Sequence, residues 1–190
     1  MLAAGQSTRM GEPKLAMSIG EETILQNVVR NALTSQAKSI TVVLNKDFSF
    51  LENDLEGQLI NIVWNNNSNK GMSSSLKLGL ESVQAYADDI MVLLADQPDI
   101  SYRIMNKLFS HHIEKDFLIT QAQYIDGVGH PVIFNKTLFK EILKIEGDRG
   151  GYEIIKENKR YRQLIEFNFE QPKDIDTKSE YLKYLKKEVM

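Results

Sequence analysis

The sequence predicts an α/β protein, a Rossmann-like three-layer sandwich built on a mostly parallel sheet. Three observations carry that expectation. Short apolar, β-branched runs alternate with amphipathic helical stripes, the pattern that places parallel strands between layers of helices. The glycine-bearing and acidic motifs come just after the apolar runs, where open α/β sheets hold their ligands. The chain has 190 residues, 42% of them hydrophobic and 26% charged, enough for one substantial core. Residues 1–190 are taken as a single domain.

The elements follow in order. Ile40 to Leu44, Leu59 to Trp64 and Ile90 to Leu94 are short, apolar and bounded by polar residues, so they are expected as buried strands. Ile24, Leu25, Val28, Val29 and Leu33 form a helical stripe, opened by a capping box at Thr23 and Gln26. Leu76, Leu80, Val83 and Ala87 form a second stripe, with serines at its start as expected caps. Ile104, Met105, Leu108 and Phe109 form a third. The polar stretch Asn65 to Gly71 is a loop inside the domain. The second half is less regular. Strands are expected at Phe117 to Ala122, Pro131 to Phe134 and Leu164 to Phe169, and helices at Thr137 to Leu143, Tyr152 to Asn158 and Ser179 to Lys187. His111 and His112 are expected at the surface near a helix end, and Asp174 and Asp176 as capping residues before the last helix.

Composition excludes several functions. The net charge of -3 and pI of about 5.7 argue against nucleic-acid binding through overall charge. There is no cysteine, so disulfides, thiolate zinc sites and cysteine nucleophiles are out. No apolar run approaches the roughly 20 residues that span a bilayer, and the start lacks a basic-then-apolar leader. The expected location is the cytoplasm, with neither membrane nor nucleic acid as partner.

Four segments carry chemistry. The first runs from Leu2 to Lys14. Ala3, Ala4 and Gly5 let a ligand approach the backbone closely, and their N–H groups can face phosphate or a base edge. Arg9 and Lys14 add two cations to the same loop, one a bidentate fork and one a point charge. A triphosphate needs that neutralisation before its α-phosphorus is attacked. The spacing matches neither the P-loop nor the dinucleotide G-x-G-x-x-G pattern. The second segment is Gly71 to Leu76, where Ser73 and Ser74 at a helix start can hold ribose, base or phosphate. The third is Leu93 to Pro98. Asp96, directly after a buried strand, is the best candidate for Mg²⁺. The fourth joins Gly129-His130-Pro131 to Gly147-Asp148-Arg149-Gly150-Gly151, where His130 can meet a phosphate or the acceptor and Asp148 can supply a second carboxylate.

Taken together, the segments beginning at Leu2, Gly71, Leu93 and Gly129 resemble, in order and spacing, the nucleotidyltransferases that act on the molybdenum cofactor, and in particular their cytidylyltransferase branch. The resemblance runs from Leu2 to about Gly151 and extends to the segment at Asp176. It implies a fold of the nucleotide-diphospho-sugar transferase type, Mg²⁺ as cofactor, and transfer of CMP from CTP to a molybdopterin-type acceptor with release of pyrophosphate. Ala4, where the guanylyl-transferring relatives tend to carry glycine, leans towards CTP over another NTP. The expected assignments are then Arg9, Lys14 and Asp96 as catalytic; Leu2, Ala3, Ala4, Gly5, Arg9, Lys14, Ser73, Ser74 and Asp96 around the nucleotide; Gln97, His130 and Asp148 on the acceptor side; and Asp96 with Asp148 on the metal. A molybdenum hydroxylase is the expected downstream partner. Two rival readings stand beside this one: the same chemistry on another acceptor, such as a sugar phosphate or methylerythritol phosphate, and a non-catalytic protein that delivers the cofactor.

Overall fold

A computed structural model describes residues 1–113 and 117–188. Strands β1 (Leu2–Ala3), β4 (Thr41–Asn45) and β5 (Asn61–Asn65) pair in parallel in the order β1-β4-β5. Strands β6 (Asp89–Val92), β7 (Ile119–Tyr124), β8 (Gly127–Asn135) and β9 (Arg162–Glu166) pair in the order β6-β8-β7-β9. A parallel bridge between Leu2 and Leu94 joins the two sets into one seven-stranded sheet. Leu2 N–H donates to the Leu93 carbonyl at 2.8 Å, and Ala95 N–H returns to the Leu2 carbonyl at 3.0 Å. Only β8 runs against its neighbours β6 and β7, so the sheet is mostly parallel, as expected. A small antiparallel pair, β2 (Ser18–Ile19) and β3 (Glu22–Thr23), lies apart from it.

Helices cover both faces. On one side α1 (Ile24–Thr34) and α3 (Tyr102–Ile113) pack through Ile24, Leu25, Val29 and Met105 onto Val42 and Leu44. On the other, α2 (Met72–Glu81), α4 (Phe139–Ile142) and α5 (Tyr152–Glu157) pack through Leu76, Leu80, Ile142 and Ile154 onto Val92, Val132 and Phe134. Neighbouring strand residues divide between the faces: Val132 and Phe134 join the α2 side while Ile133 packs with Ile104 and Leu108 of α3. The last helix, α6 (Lys178–Glu188), docks by Tyr181, whose hydroxyl donates to the Ser18 carbonyl at 2.6 Å.

The α1 capping box forms as the sequence indicates: Gln26 N–H donates to Thr23 Oγ1 and Thr23 N–H to Gln26 Oε1. Such a cap contributes about 1 kcal/mol. Ile24, Leu25 and Val28 are fully buried, and each contributes about 1.5–3 kcal/mol, so packing outweighs capping in holding α1.

Several expectations are corrected. β5 begins at Asn61, because a turn at Gly57 leaves Leu59 in solvent. β9 covers Arg162–Glu166 rather than Leu164 to Phe169. Phe167 and Phe169 lie beyond it and pack their rings against Tyr124, which accounts for the apolar signal there. His112 is buried, not superficial: its ring nitrogens meet Thr120 Oγ1 at 2.7 Å and Asp89 Oδ1 at 3.0 Å. No serine side chain caps α2. Its first residue follows Gly71, and Ser74 Oγ instead donates back to the Gly71 carbonyl at 2.8 Å and accepts from Asn65.

Candidate active site

The parallel bridge at Leu2 brings the carboxyl ends of β1 and β6 side by side. The chain leaving β1 is the Ala4–Pro13 loop, and the chain leaving β6 is Ala95-Asp96-Gln97. Ser7 organises the first: its carbonyl accepts from Met10 and Gly11, and its hydroxyl accepts from Lys14 N–H at 3.2 Å. That fold-back starts a short 3-10 turn at Lys14 and turns the Lys14 side chain inward, where only 8% of the residue stays exposed.

The Lys14 ammonium lies between two carboxylates. Its Nζ is 2.5 Å from Asp96 Oδ2 and 2.7 Å from Asp176 Oδ1. Arg9 reaches the other oxygen of Asp176 at 2.7 Å. Burial works against the Lys14 charge, but the Asp96 charge and the hydrogen bonds that Lys14 donates to both carboxylates outweigh it and hold its pKa above the ordinary lysine value. Burial likewise opposes ionisation of Asp176, and Lys14 and Arg9 reverse it, so its pKa is lowered. Lys14 and Asp176 are therefore both charged at neutral pH.

Asp176 and Asp174 do not cap α6. That cap is made by Thr177 and Glu180: Glu180 Oε2 accepts from Asp176 N–H and Thr177 N–H, and Glu180 N–H donates to Thr177 Oγ1. The side chains of Asp174 and Asp176 face the site instead. Asp174 Oδ1 accepts from Gln97 Nε2 at 2.6 Å. Between them Ile175 is buried, and its N–H donates to the Asp96 carbonyl at 3.0 Å. An extended Asp-Ile-Asp segment with its middle side chain inward presents both carboxylates on one side. That alternation is present in the sequence and is the signal that the capping expectation passed over.

His130 stands on β8, next to the ladder that pairs Val132 with Val92, and so towards Asp96. Burial lowers its pKa to about 4, with the Asp96 charge opposing, so the ring is neutral at pH 7. Tyr124 fixes this stretch by donating to the His130 carbonyl at 2.7 Å. Ser73 N–H donates to the Gly147 carbonyl at 3.1 Å, which ties the start of α2 to the loop carrying Asp148. The Ser73 hydroxyl is buried without a partner, whereas the Ser74 hydroxyl is engaged with Asn65 and Gly71. Asp148 is exposed and stands against Gly71. Gly71 has φ +88°, and a Cβ there would collide with the Asp148 carboxylate and the Gly147 carbonyl, so only glycine lets these two loops meet.

The structure thus gathers Arg9, Lys14, Asp96 and Gln97, adds Asp174 and Asp176, and places His130 on the Asp96 side. Asp148 keeps to the α2 side. Among the described residues no group of three or more His, Asp or Glu side chains is placed to hold a metal ion by itself. A cavity of about 450 Å³ opens at the amino ends of β1 and β6, among Ser39, Asp88, Asp89 and His112. None of the site's cations or carboxylates lines it. No helix among the described residues is long and apolar enough to cross a membrane.

A cationic loop after the first strand of the sheet thus faces a carboxylate after a neighbouring strand, on a sheet of the nucleotide-diphospho-sugar transferase fold. Residues 1–163 match the MobA-like NTP transferase domain, and the chain belongs to that nucleotidyltransferase family. It is 28% identical to purine catabolism protein PucB of Bacillus subtilis over 163 residues, 82% of this chain and 78% of that one. It is 25% identical to the molybdenum cofactor cytidylyltransferase of Escherichia coli over 181 residues, 95% of this chain and 91% of that one. Among solved structures, the homolog of Mycobacterium tuberculosis Rv0371c from Mycobacterium sp. strain JC1 superposes with a TM-score of 0.89 at 28% identity, covering 99% of this chain and 94% of that one.

Proposed function

We propose that the protein transfers CMP from CTP to a molybdopterin-type acceptor, releasing pyrophosphate. The observation that carries this reading is the Arg9–Asp176–Lys14–Asp96 chain of alternating charge at the carboxyl ends of β1 and β6. Two cations on one loop suit the β- and γ-phosphates, where negative charge grows as pyrophosphate leaves. An oxygen of the acceptor phosphate attacks the α-phosphorus in line. The bond from the α-phosphorus to the β-bridging oxygen breaks, and its electrons leave with pyrophosphate. A phosphate nucleophile is already ionised at neutral pH, so no strong general base is needed, in keeping with a neutral His130. The small residues Ala3, Ala4 and Gly5 and the free Ser73 hydroxyl suit the nucleotide, with Leu2 setting the strand and Ser74 the loop. Gln97, His130 and Asp148 suit the acceptor side.

A divalent cation fits this donor set. Asp96 and Asp176 already converge on one positive charge, and the buried Asp96 Oδ1 has no hydrogen-bond partner. Hard carboxylate oxygens completed by phosphate and water are what Mg²⁺ takes. Asp96 with Asp176, in place of the expected Asp96 with Asp148, is the pair we assign to it. Bound there, the cation would neutralise and orient the phosphates.

The test is pyrophosphate release with Mg²⁺ and each of CTP, GTP, ATP and UTP, with and without molybdenum-loaded molybdopterin. Release from CTP that requires the cofactor is expected. Release that requires a sugar phosphate instead would move the reading to that acceptor. No release from folded protein that still binds CTP would defeat the catalytic reading and favour delivery of the cofactor to a partner such as a molybdenum hydroxylase.

A further inference from the structure

The position between Asp96 and Asp176 is not empty of charge. It is filled by the protein's own ammonium, with both carboxylates at hydrogen-bond distance. The ammonium is also well enclosed, since only 9% of the Lys14 side chain is exposed against 21% and 20% for the two aspartates. A buried ammonium that loses its carboxylates is left uncompensated, which is strongly unfavourable. It can leave only if another anion receives it.

We propose that Lys14 holds, in the free protein, the place that a divalent cation takes in the nucleotide complex, so that lysine and cation compete for the same two carboxylates. The proposal rests on the nucleotidyl-transfer reading for the identity of the anion that draws Lys14 away, which is the triphosphate. The charges state the consequence. Arg9 and Lys14 are paired with Asp96 and Asp176, and beside them Asp174, hydrogen-bonded to Gln97, has its pKa raised by burial and by the Asp96 charge. A divalent cation arriving alone would take both carboxylates from Lys14 and strand the enclosed ammonium. A triphosphate arriving alone would set excess negative charge beside two carboxylates. Arriving together they exchange partners: Lys14 and Arg9 pass from carboxylate to phosphate, and the carboxylates pass from ammonium to cation. Neither ligand makes that exchange favourable without the other.

The arrangement of the chain suits such an exchange. Lys14 is carried at the end of the loop that Ser7 folds back, the same loop that bears Ala4, Gly5 and Arg9. Asp176 sits on the segment hydrogen-bonded to the Asp96 backbone through Ile175, so the two carboxylates stay in register as the ammonium leaves. Asp96 Oδ1, buried and without a partner, is the donor atom held back in the free state.

The measurement is Mn²⁺ binding to the metal-free protein with no nucleotide present, followed by calorimetry or by the electron paramagnetic resonance of free Mn²⁺. Wild type is expected to bind weakly. Lys14→Met, with a similar reach and no charge, is expected to bind at least tenfold more tightly, although it loses turnover. The double variant Lys14→Met with Asp176→Asn should return to weak binding. Circular dichroism and thermal melting report whether each variant is folded, and Lys14→Gln carries the same expectation if Lys14→Met is not. Mn²⁺ binding by the lysine variants no tighter than by wild type would overturn the competition. Tight binding that survives in the double variant would overturn its placement between these carboxylates. Both readouts are independent of turnover, so failure of nucleotidyl transfer would show separately, as absent pyrophosphate release by wild type.

Discussion

Asp176 is where the structure departs most from the capping expectation. Its pKa is held below the ordinary range by Lys14 and Arg9, and it shares one ammonium with Asp96. Asp148 stands exposed beside Gly71 and contributes nothing to that cluster. The two carboxylates therefore separate by mutation. Asp176→Asn keeps the size of the side chain and removes the charge. It is expected to lower the rate of pyrophosphate release about 100-fold or more, the scale of losing one preorganised electrostatic partner. Asp148→Asn is expected to lower it far less at saturating nucleotide and to act mainly on acceptor KM. Steady-state kinetics of both variants decide this, and a larger loss of kcat in Asp148→Asn than in Asp176→Asn would return the second carboxylate to Asp148. The sequence singles out Arg9, Lys14 and Asp96 as candidates because each falls in a dense, position-specific segment directly after a strand, and the structure brings them together. Asp176 reads as a cap because its neighbours look like a helix start, and a helix start with an acidic residue has an ordinary explanation. The buried Ile175 between two aspartates was the stronger signal.

At the scale of elements, legibility followed the hydrophobic period. α1 carries a clean stripe and a reciprocal cap, and both appear in the structure with the residues the sequence indicates. Thr23→Ala removes the oxygen that accepts from Gln26 N–H and is expected to cost about 1 kcal/mol, a fall in Tm of about 2–4 °C for a chain of this size. An unchanged melting temperature would mean that the packing of Ile24, Leu25 and Val28 alone sets the start of the helix. β5 and β9 were placed with the wrong ends for a shared reason. Apolar residues such as Leu59, Phe167 and Phe169 lie beside the strands, and a short apolar run does not say which of its members are paired in the ladder. His112 was misplaced because one histidine near a helix end reads as polar surface. Its partners Thr120 and Asp89 lie on strands β7 and β6, and only the fold brings those to α3.

Across the whole molecule the sheet is made of a parallel half and a mixed half that meet at the two-residue strand β1, with one bridge from Leu2 to Leu94. The loop cations belong to the chain leaving β1, Asp96 to the chain leaving β6, and Asp176 to the carboxyl-terminal segment, so the charged cluster spans that seam. A ligand that engages all three is a cross-link between the halves. Anything that binds the native state alone stabilises it by mass action, by about 2.7 kcal/mol at a hundred times Kd, which for a chain of this length raises Tm by about 5–10 °C. Because Arg9 and Lys14 are already paired with Asp96 and Asp176, CTP and Mg²⁺ together are expected to give that rise, and either alone much less. The same pair should slow hydrogen exchange at the Leu2 and Ala95 amides, whose hydrogen bonds close the seam. Differential scanning fluorimetry over the four combinations reads the first effect and amide exchange the second. A full shift with CTP in the presence of a chelator would show that the phosphates need no cation to settle on Arg9 and Lys14, and that the seam closes on the nucleotide by itself.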